Sequence, residues 1–199
     1  MKKRLYAAYG SNLNIEQMKH RCPTARLRGT GIVEDFELQF KGSSDCAFAT
    51  IAPKNGSSVP VAIWELQPRD EAALDRYEGY PSHYFKQNVP VVMEGESISV
   101  MAYIMDQRMN FGLPSALYYR TVHDGYRDCG LDVGALEAAV GRSAQAFYSA
   151  YTEPQMHQQT LFGCYDSSDD EDEYEDEAPG FDEEPDESDP FYSSGGMSM

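Results

Sequence analysis

Two short stretches of this chain hold residues able to do chemistry. The first is Tyr9-Gly10-Ser11-Asn12-Leu13. Glycine reaches backbone conformations that other residues adopt only at a cost. Consecutive amides in such a turn can converge on one point and hold an anion, a carboxylate or a phosphate. A helix that starts directly afterwards adds partial positive charge. The stretch is neither GxxxxGK[ST] nor GxGxxG. The second is Leu74-Asp75-Arg76-Tyr77-Glu78-Gly79-Tyr80-Pro81. On a helix, Leu74 and Glu78 share a face. Leu74 belongs in the core, so Glu78 is drawn toward apolar surroundings. It also stands at the helix C-terminus, where the macrodipole disfavours negative charge. Both effects raise a carboxyl pKa, and a group so tuned can exchange protons near neutral pH. Asp75 faces a neighbouring direction and reads as solvated or bonded to backbone. Each stretch also has a plainer account: an ordinary strand-to-helix turn, and a surface carboxylate at a frayed helix end. Taken singly, the plainer account is the stronger.

Tyrosine is abundant, with 14 in the chain. Tyr6, Tyr9, Tyr80, Tyr84, Tyr103, Tyr118 and Tyr119 lie in or beside expected elements. Phenols can line a polar pocket without adding charge, although most of the fourteen belong to the rim of the core. His83 lies close enough to Glu78 to tune it. His20 and Cys22 read as structural rather than metal-binding, and His123 and His157 show no pattern.

The elements that would position these groups follow from pattern. Leu5 to Tyr9 reads as a strand that the turn breaks. Asn14 can cap a helix, with Gln17 as its capping-box partner, and that helix ends before Pro23. Strands follow over 26–40, 46–51 and 59–66. A helix over 69–78 starts at Asp70 or a neighbour and stops at Gly79. Strands at 84–93 and 97–105, joined by Glu94-Gly95-Glu96, form a hairpin. The last third turns helical, over 114–128 and 132–151, with Gly130 between. Strands first and helices last make the fold α+β rather than a βαβ alternation.

Charge divides the chain. The net charge is -17. Fifteen Asp and Glu fall between Asp166 and Asp189, and no Lys or Arg follows Arg142. Without that run, eighteen acidic residues face sixteen basic ones, so the body is nearly neutral. A basic footprint for nucleic acid is lacking. From residue 165 onward, high like charge, few aliphatics and three prolines predict disorder. The tail reads first as a solubilising segment and second as a docking site for a basic partner. The four cysteines, Cys22, Cys46, Cys129 and Cys164, form no CxxC pair, which argues against structural zinc and suits a reducing compartment. Lys2-Lys3-Arg4 precede an apolar run too short for a signal peptide, and no run is long enough for a membrane span. The expectation is a cytoplasmic protein.

Together the two stretches and the tyrosines resemble the γ-glutamylcyclotransferase family, with its γ-glutamylamine cyclotransferase and AIG2-like relatives. The likeness runs from Leu5 to Tyr126 and more weakly to Tyr151. It rests on the intact Tyr9–Leu13 loop, on Asp75-Arg76-Tyr77-Glu78-Gly79, on Ala49-Thr50-Ile51, on Tyr84 and Tyr103, and on Pro114-Ser115-Ala116-Leu117-Tyr118. The resemblance implies a mixed β-barrel flanked by helices, forming a catalytic domain over 1–151. A linker over 152–164 and an acidic tail over 165–199 would follow. It implies that a γ-glutamyl amide cyclises to 5-oxoproline and releases an amino acid or amine. Glu78 would be the general acid/base. Tyr9, Gly10, Ser11, Asn12, Leu13, Tyr84, Tyr103 and Tyr118 would bind substrate, with no metal or cofactor required. Two other readings compete: a non-catalytic binder of small carboxylates with this fold, and an interaction protein acting through its tail.

Overall fold

The computed structural model describes residues 3–44 and 46–162, with side chains described through residue 150. Five strands close into a barrel in the order β1-β3-β2-β4-β5. Strand β1 (Arg4–Ala8) pairs antiparallel with β3 (Cys46–Leu66) and parallel with β5 (Glu96–Met105). Strand β2 (Arg26–Ser43) pairs antiparallel with β3 along nearly its whole length and touches β4 (Tyr84–Met93) at Ile32. The sheet is therefore mixed, and helices flank it.

The expected segments 46–51 and 59–66 are one continuous strand. Lys54, Asn55, Gly56 and Ser58 are exposed and polar, so they look like a loop in sequence. A first register shift leaves Arg28 of β2 without a counterpart between Leu27 and Gly29, and at a second, between Glu34↔Ser58 and Phe36↔Pro53, residues 54–57 of β3 bulge out opposite Asp35 alone. Such bulges bend a strand and increase its twist, which lets two long strands curve into a closed barrel. At the second bulge Asp35 accepts a hydrogen bond from the Gly56 amide at 2.9 Å. The 84–105 hairpin forms as expected, except that Glu96 pairs with Met93 and the loop shrinks to Glu94-Gly95. Both loop residues have positive φ, as a tight hairpin turn demands.

Helix α1 (Ile15–Arg21) is capped by Asn14, whose side chain accepts from the Gln17 amide at 3.0 Å. The reciprocal half of the expected capping box is not made. The Gln17 side chain instead accepts from Arg21 and reaches Thr121. Helix α2 (Pro68–Glu78) starts at Pro68, with Asp70 in its first turn accepting from the Gln67 amide at 2.9 Å. It stops at Gly79, which is left-handed. Helix α3 (Ala116–Asp128) begins two residues later than expected because Ser115 is its cap. Helix α4 (Val133–Phe162) continues past Tyr151 into the stretch assigned to a linker. The acidic segment from residue 165 lies outside the described residues.

The core fills the barrel and the space under the helices. Phe40, Ile51, Val61, Ile63, Leu66 and Val91 are fully buried from the strands. Leu74 of α2 joins them, as its position on the Glu78 face predicts. From the other helices Met18, Tyr126 and Leu136 are fully buried. No helix among the described residues is long and apolar enough to cross a membrane.

Candidate active site

The turn after β1 is a short 3-10 helix, Ser11–Leu13, closed by a hydrogen bond from the Leu13 amide to the Gly10 carbonyl at 3.0 Å. Two things fix it. Strand β1 is held on both sides within the barrel, and α3 lies directly against the turn. A Cβ added at Gly125 of α3 would stand 2.6 Å from both the Asn14 nitrogen and the Leu13 Cβ. The Cys129 thiol also donates to the Leu13 carbonyl at 3.4 Å. Gly10 itself has φ -116, so its value is not the left-handed backbone that the sequence suggests. The reason is space: a Cβ there would meet the Tyr118 hydroxyl at 3.1 Å and the Ala49 Cβ at 3.2 Å.

Helix α2 brings Glu78 to this turn. The Asn12 Nδ2 group donates to Glu78 Oε1 at 2.7 Å and to the Tyr6 hydroxyl at 2.9 Å. Burial pushes the Glu78 carboxyl up to about 7, against opposing pulls from the Asn12 hydrogen bond and the Arg21 charge. The direction agrees with expectation. The surroundings that cause it are mostly phenols rather than aliphatic groups. Tyr6, Tyr9, Tyr84, Tyr103 and Tyr118 face one small cavity of about 30 Å³ together with Glu78. Burial holds all five phenols above their ordinary range, so they remain protonated donors at any working pH.

Each hydroxyl has an assigned task. Tyr9 donates to the Tyr103 carbonyl. Tyr84 donates to the Ala49 carbonyl at 3.0 Å. Tyr103 donates to Asp75 at 2.6 Å. The Tyr118 oxygen accepts from the Ala49 amide at 3.1 Å. A hydroxyl has two lone pairs and one proton. Tyr118 acts as the acceptor in its contact with Ala49, so its one proton is left to donate. Strand Ala49-Thr50-Ile51 thus serves the site through the backbone of Ala49.

Of the nine residues the sequence singled out, eight meet around this cavity: Tyr9, Gly10, Ser11, Asn12, Glu78, Tyr84, Tyr103 and Tyr118. Leu13 does not. Its side chain is fully buried in the core and its amide is committed to the turn. Asp75, read as solvated or backbone-bonded, is paired with Lys86 at 2.7 Å as well as with Tyr103. His83 packs against Gly79 at the rim, while the groups acting on Glu78 are Asn12 and Arg21. Cys22 is buried with its thiol directed to the Asp70 carbonyl at 3.5 Å, a structural placement.

Sequence reasoning missed Arg21 and Tyr77. Arg21 donates to Asn12 Oδ1 at 2.6 Å, to Ser11 Oγ at 3.3 Å and to the Tyr77 hydroxyl at 2.6 Å. Its guanidinium carbon also stands 3.7 Å from the Tyr77 ring centroid. The only local signal was a basic residue in the last turn of α1, which ordinarily reads as a helix-dipole partner. Outside the small cavity lies a wider cleft of about 750 Å³ that shares Ser11, Glu78, Tyr84 and Tyr118 with it. Phe48, Tyr77, Met105 and Met109 give that cleft an apolar side, with Arg76 and His83 at its edge.

The comparisons with known proteins agree with this geometry. The family described as "Gamma-glutamyl cyclotransferase, AIG2-like" matches residues 6–124. The chain is 30% identical over 139 residues to a gamma-glutamylcyclotransferase of Bos taurus, covering 64% of this chain and 72% of that protein. It is 31% identical over 136 residues to one of Homo sapiens, with the same coverage. A solved structure of a gamma-glutamyl cyclotransferase superposes with a TM-score of 0.64 at 28% identity, covering 69% of this chain and 86% of the other.

Proposed function

Since the chain belongs to the gamma-glutamyl cyclotransferase, AIG2-like family, we propose that it cyclises γ-glutamyl amides, releasing 5-oxoproline and a free amino acid or amine, with Glu78 as the general acid/base. The observation that carries this reading is Glu78 itself: a carboxyl raised to about 7 and held 2.7 Å from the turn residue Asn12.

The chemistry has few needs. The α-amine of the substrate is tethered to the γ-carbonyl it attacks, so holding the substrate folded removes much of the barrier. An α-ammonium group titrates near about 8. A carboxylate of ordinary pKa is a poor base for it, and one near 7 is well matched. Ionised Glu78 takes a proton from the ammonium. The freed nitrogen forms a bond to the γ-carbon, and negative charge gathers on the γ-oxygen. The Tyr118 hydroxyl, with its proton free, and the amides of the turn are suited to receive that charge. Glu78 then returns its proton to the leaving nitrogen as the γ-carbon–nitrogen bond breaks and the γ-carbonyl re-forms, and the ring nitrogen gives up its second proton to the released amine, which departs as an ammonium. The wider cleft, which shares Ser11, Glu78, Tyr84 and Tyr118 with the small phenol-lined cavity, takes the substrate, with the leaving group toward its apolar side. The three cysteines of the described residues are free, which suits a cytoplasmic enzyme.

The test is a screen of γ-glutamyl amino acids and γ-glutamylamines for 5-oxoproline release, run beside Glu78→Gln. The variant keeps the volume and the Asn12 contact but cannot carry the proton. Turnover is expected to fall by at least about a thousandfold, beyond the 10²–10⁴ typical of proton transfer at its lower end, with substrate binding retained by calorimetry. Turnover close to wild type in Glu78→Gln rules out this mechanism.

A further inference from the structure

Arg21 lines neither the small cavity nor the wider cleft, yet it is joined to three of the elements that build the site. It stands at the end of α1. One arm of its fork reaches the turn, at Asn12 Oδ1 (2.6 Å) and Ser11 Oγ (3.3 Å). The other reaches the Tyr77 hydroxyl of α2 at 2.6 Å and the Gln17 side chain. Tyr77 immediately precedes Glu78 in the chain.

A guanidinium can only donate. Whatever carboxamide atom faces Arg21 must therefore be the oxygen. This fixes the Asn12 side chain, whose amino group is turned the other way and donates both hydrogens, one to Tyr6 and one to Glu78 Oε1. Without Arg21, the carboxamide could turn over and present its oxygen to Glu78, which would favour a permanently protonated acid. With Arg21 in place, Oε1 is occupied as an acceptor. The other carboxyl oxygen, Oε2, is left to take and return the proton.

We propose that Arg21 is a positioning residue: it sets the Asn12 carboxamide so that Oε2 of Glu78 is the proton-exchanging oxygen, and it ties the last turn of α2 to the Ser11–Leu13 turn. The proposal rests on the general acid/base reading of Glu78. The phenols of Tyr6, Tyr9, Tyr84, Tyr103 and Tyr118 face Glu78 from β1, β4, β5 and α3, and all are neutral, while Arg21 is the charged group acting on it. The planar fork matters as much as the charge. A lysine carries one ammonium on a flexible stem and cannot span Asn12 and Tyr77 in the same geometry.

The experiment compares wild type, Arg21→Met and Arg21→Lys in two ways. One is the pH profile of 5-oxoproline release. The other is direct NMR titration of the Glu78 carboxyl, assigned by its absence in Glu78→Gln. Arg21→Met is expected to raise the acid limb and the Glu78 titration together, and to lower kcat by about tenfold or more through lost orientation, with KM changed much less. Arg21→Lys is expected to restore the titration toward wild type without restoring kcat. A folded Arg21→Met with the wild-type titration overturns the proposal. So does Arg21→Lys with wild-type kcat, and this variant keeps the charge and decides the matter if Arg21→Met does not fold. The titration needs no turnover. If wild type releases no 5-oxoproline, the proposed reaction fails on its own, and the titration still reports whether Arg21 governs Glu78.

Discussion

At the scale of single residues, the site turns on one carboxyl whose environment is arranged by others. Glu78 keeps its proton to about pH 7, against an ordinary value of 4.5. Two pH effects follow, of different sign. Activity needs the ionised form first, so kcat/KM is expected to fall about tenfold per pH unit below 7. A pH series of initial rates checks this, and an acid limb near 4.5 contradicts it. Stability runs the other way. A folded pKa above the unfolded one gives the fold a relative advantage below about 4.5, and that advantage is lost as pH rises to 7. Above 7 the buried charge costs up to about 3 kcal/mol, taking 1.36 kcal/mol per pKa unit. Glu78→Gln is therefore expected to melt several degrees higher than wild type at pH 8 and near wild type at pH 4. Thermal melts at the two pH values are the measurement.

At the scale of elements, the site is a meeting of β1, the turn, β3, β4, β5, α2 and α3, braced by α1, and α3 packs directly against the turn. Gly125 allows it. A Cβ at that position would fall 2.6 Å from backbone and side-chain atoms of Asn14 and Leu13, closer than atoms can approach, and none of these is the free end of a flexible side chain. Gly125→Ala is expected to cost about 1–3 kcal/mol of stability, as overpacking does. It should also displace the turn that holds Asn12 and so lower kcat/KM. Denaturant melts and steady-state rates on the same preparation test both parts. A variant with wild-type rates would mean that the turn holds its place without α3. The mutual hold of α1 and α2 is different in kind. It is polar, through Arg21 and Tyr77 on one side and Thr24 and Asp70 at 2.8 Å on the other.

At the scale of the whole molecule, every group that meets at the cavity comes from residues between Tyr6 and Tyr118. The acidic run begins beyond them, at Asp166. Deleting 165–199 removes fifteen negative charges and leaves a nearly neutral chain. 5-Oxoproline release by that shortened chain is expected to match the full chain, since the deletion removes none of the groups that meet at the cavity. Loss of activity on deletion would draw the tail into the chemistry. Binding of a basic peptide to the full chain, lost on deletion, would support the docking reading of the tail.

The sequence by itself determined the local parts. Tyr9–Leu13 and the helix end at Glu78 are motifs of a few consecutive residues, and the direction of the Glu78 shift followed from its shared face with Leu74. Element types were legible for the same reason, since periodicity and caps act over one or two turns. The tertiary structure decided whatever depends on groups distant in the chain. Residues 54–57 read as a loop because their polarity is local, while the distant β2, whose Asp35 alone stands opposite them, makes them a bulge within one long strand. Leu13 looked like part of the binding loop until α3 covered it. Gly10 was singled out for its backbone freedom, and the barrel gave it a different reason, the nearness of Tyr118 and Ala49. Arg21 carried only the signal of a basic residue in the last turn of a helix. Its meaning lies in Asn12 and Tyr77, nine and 56 residues away, and a hydrogen bond has no trace in sequence until the fold brings donor and acceptor within about 3 Å.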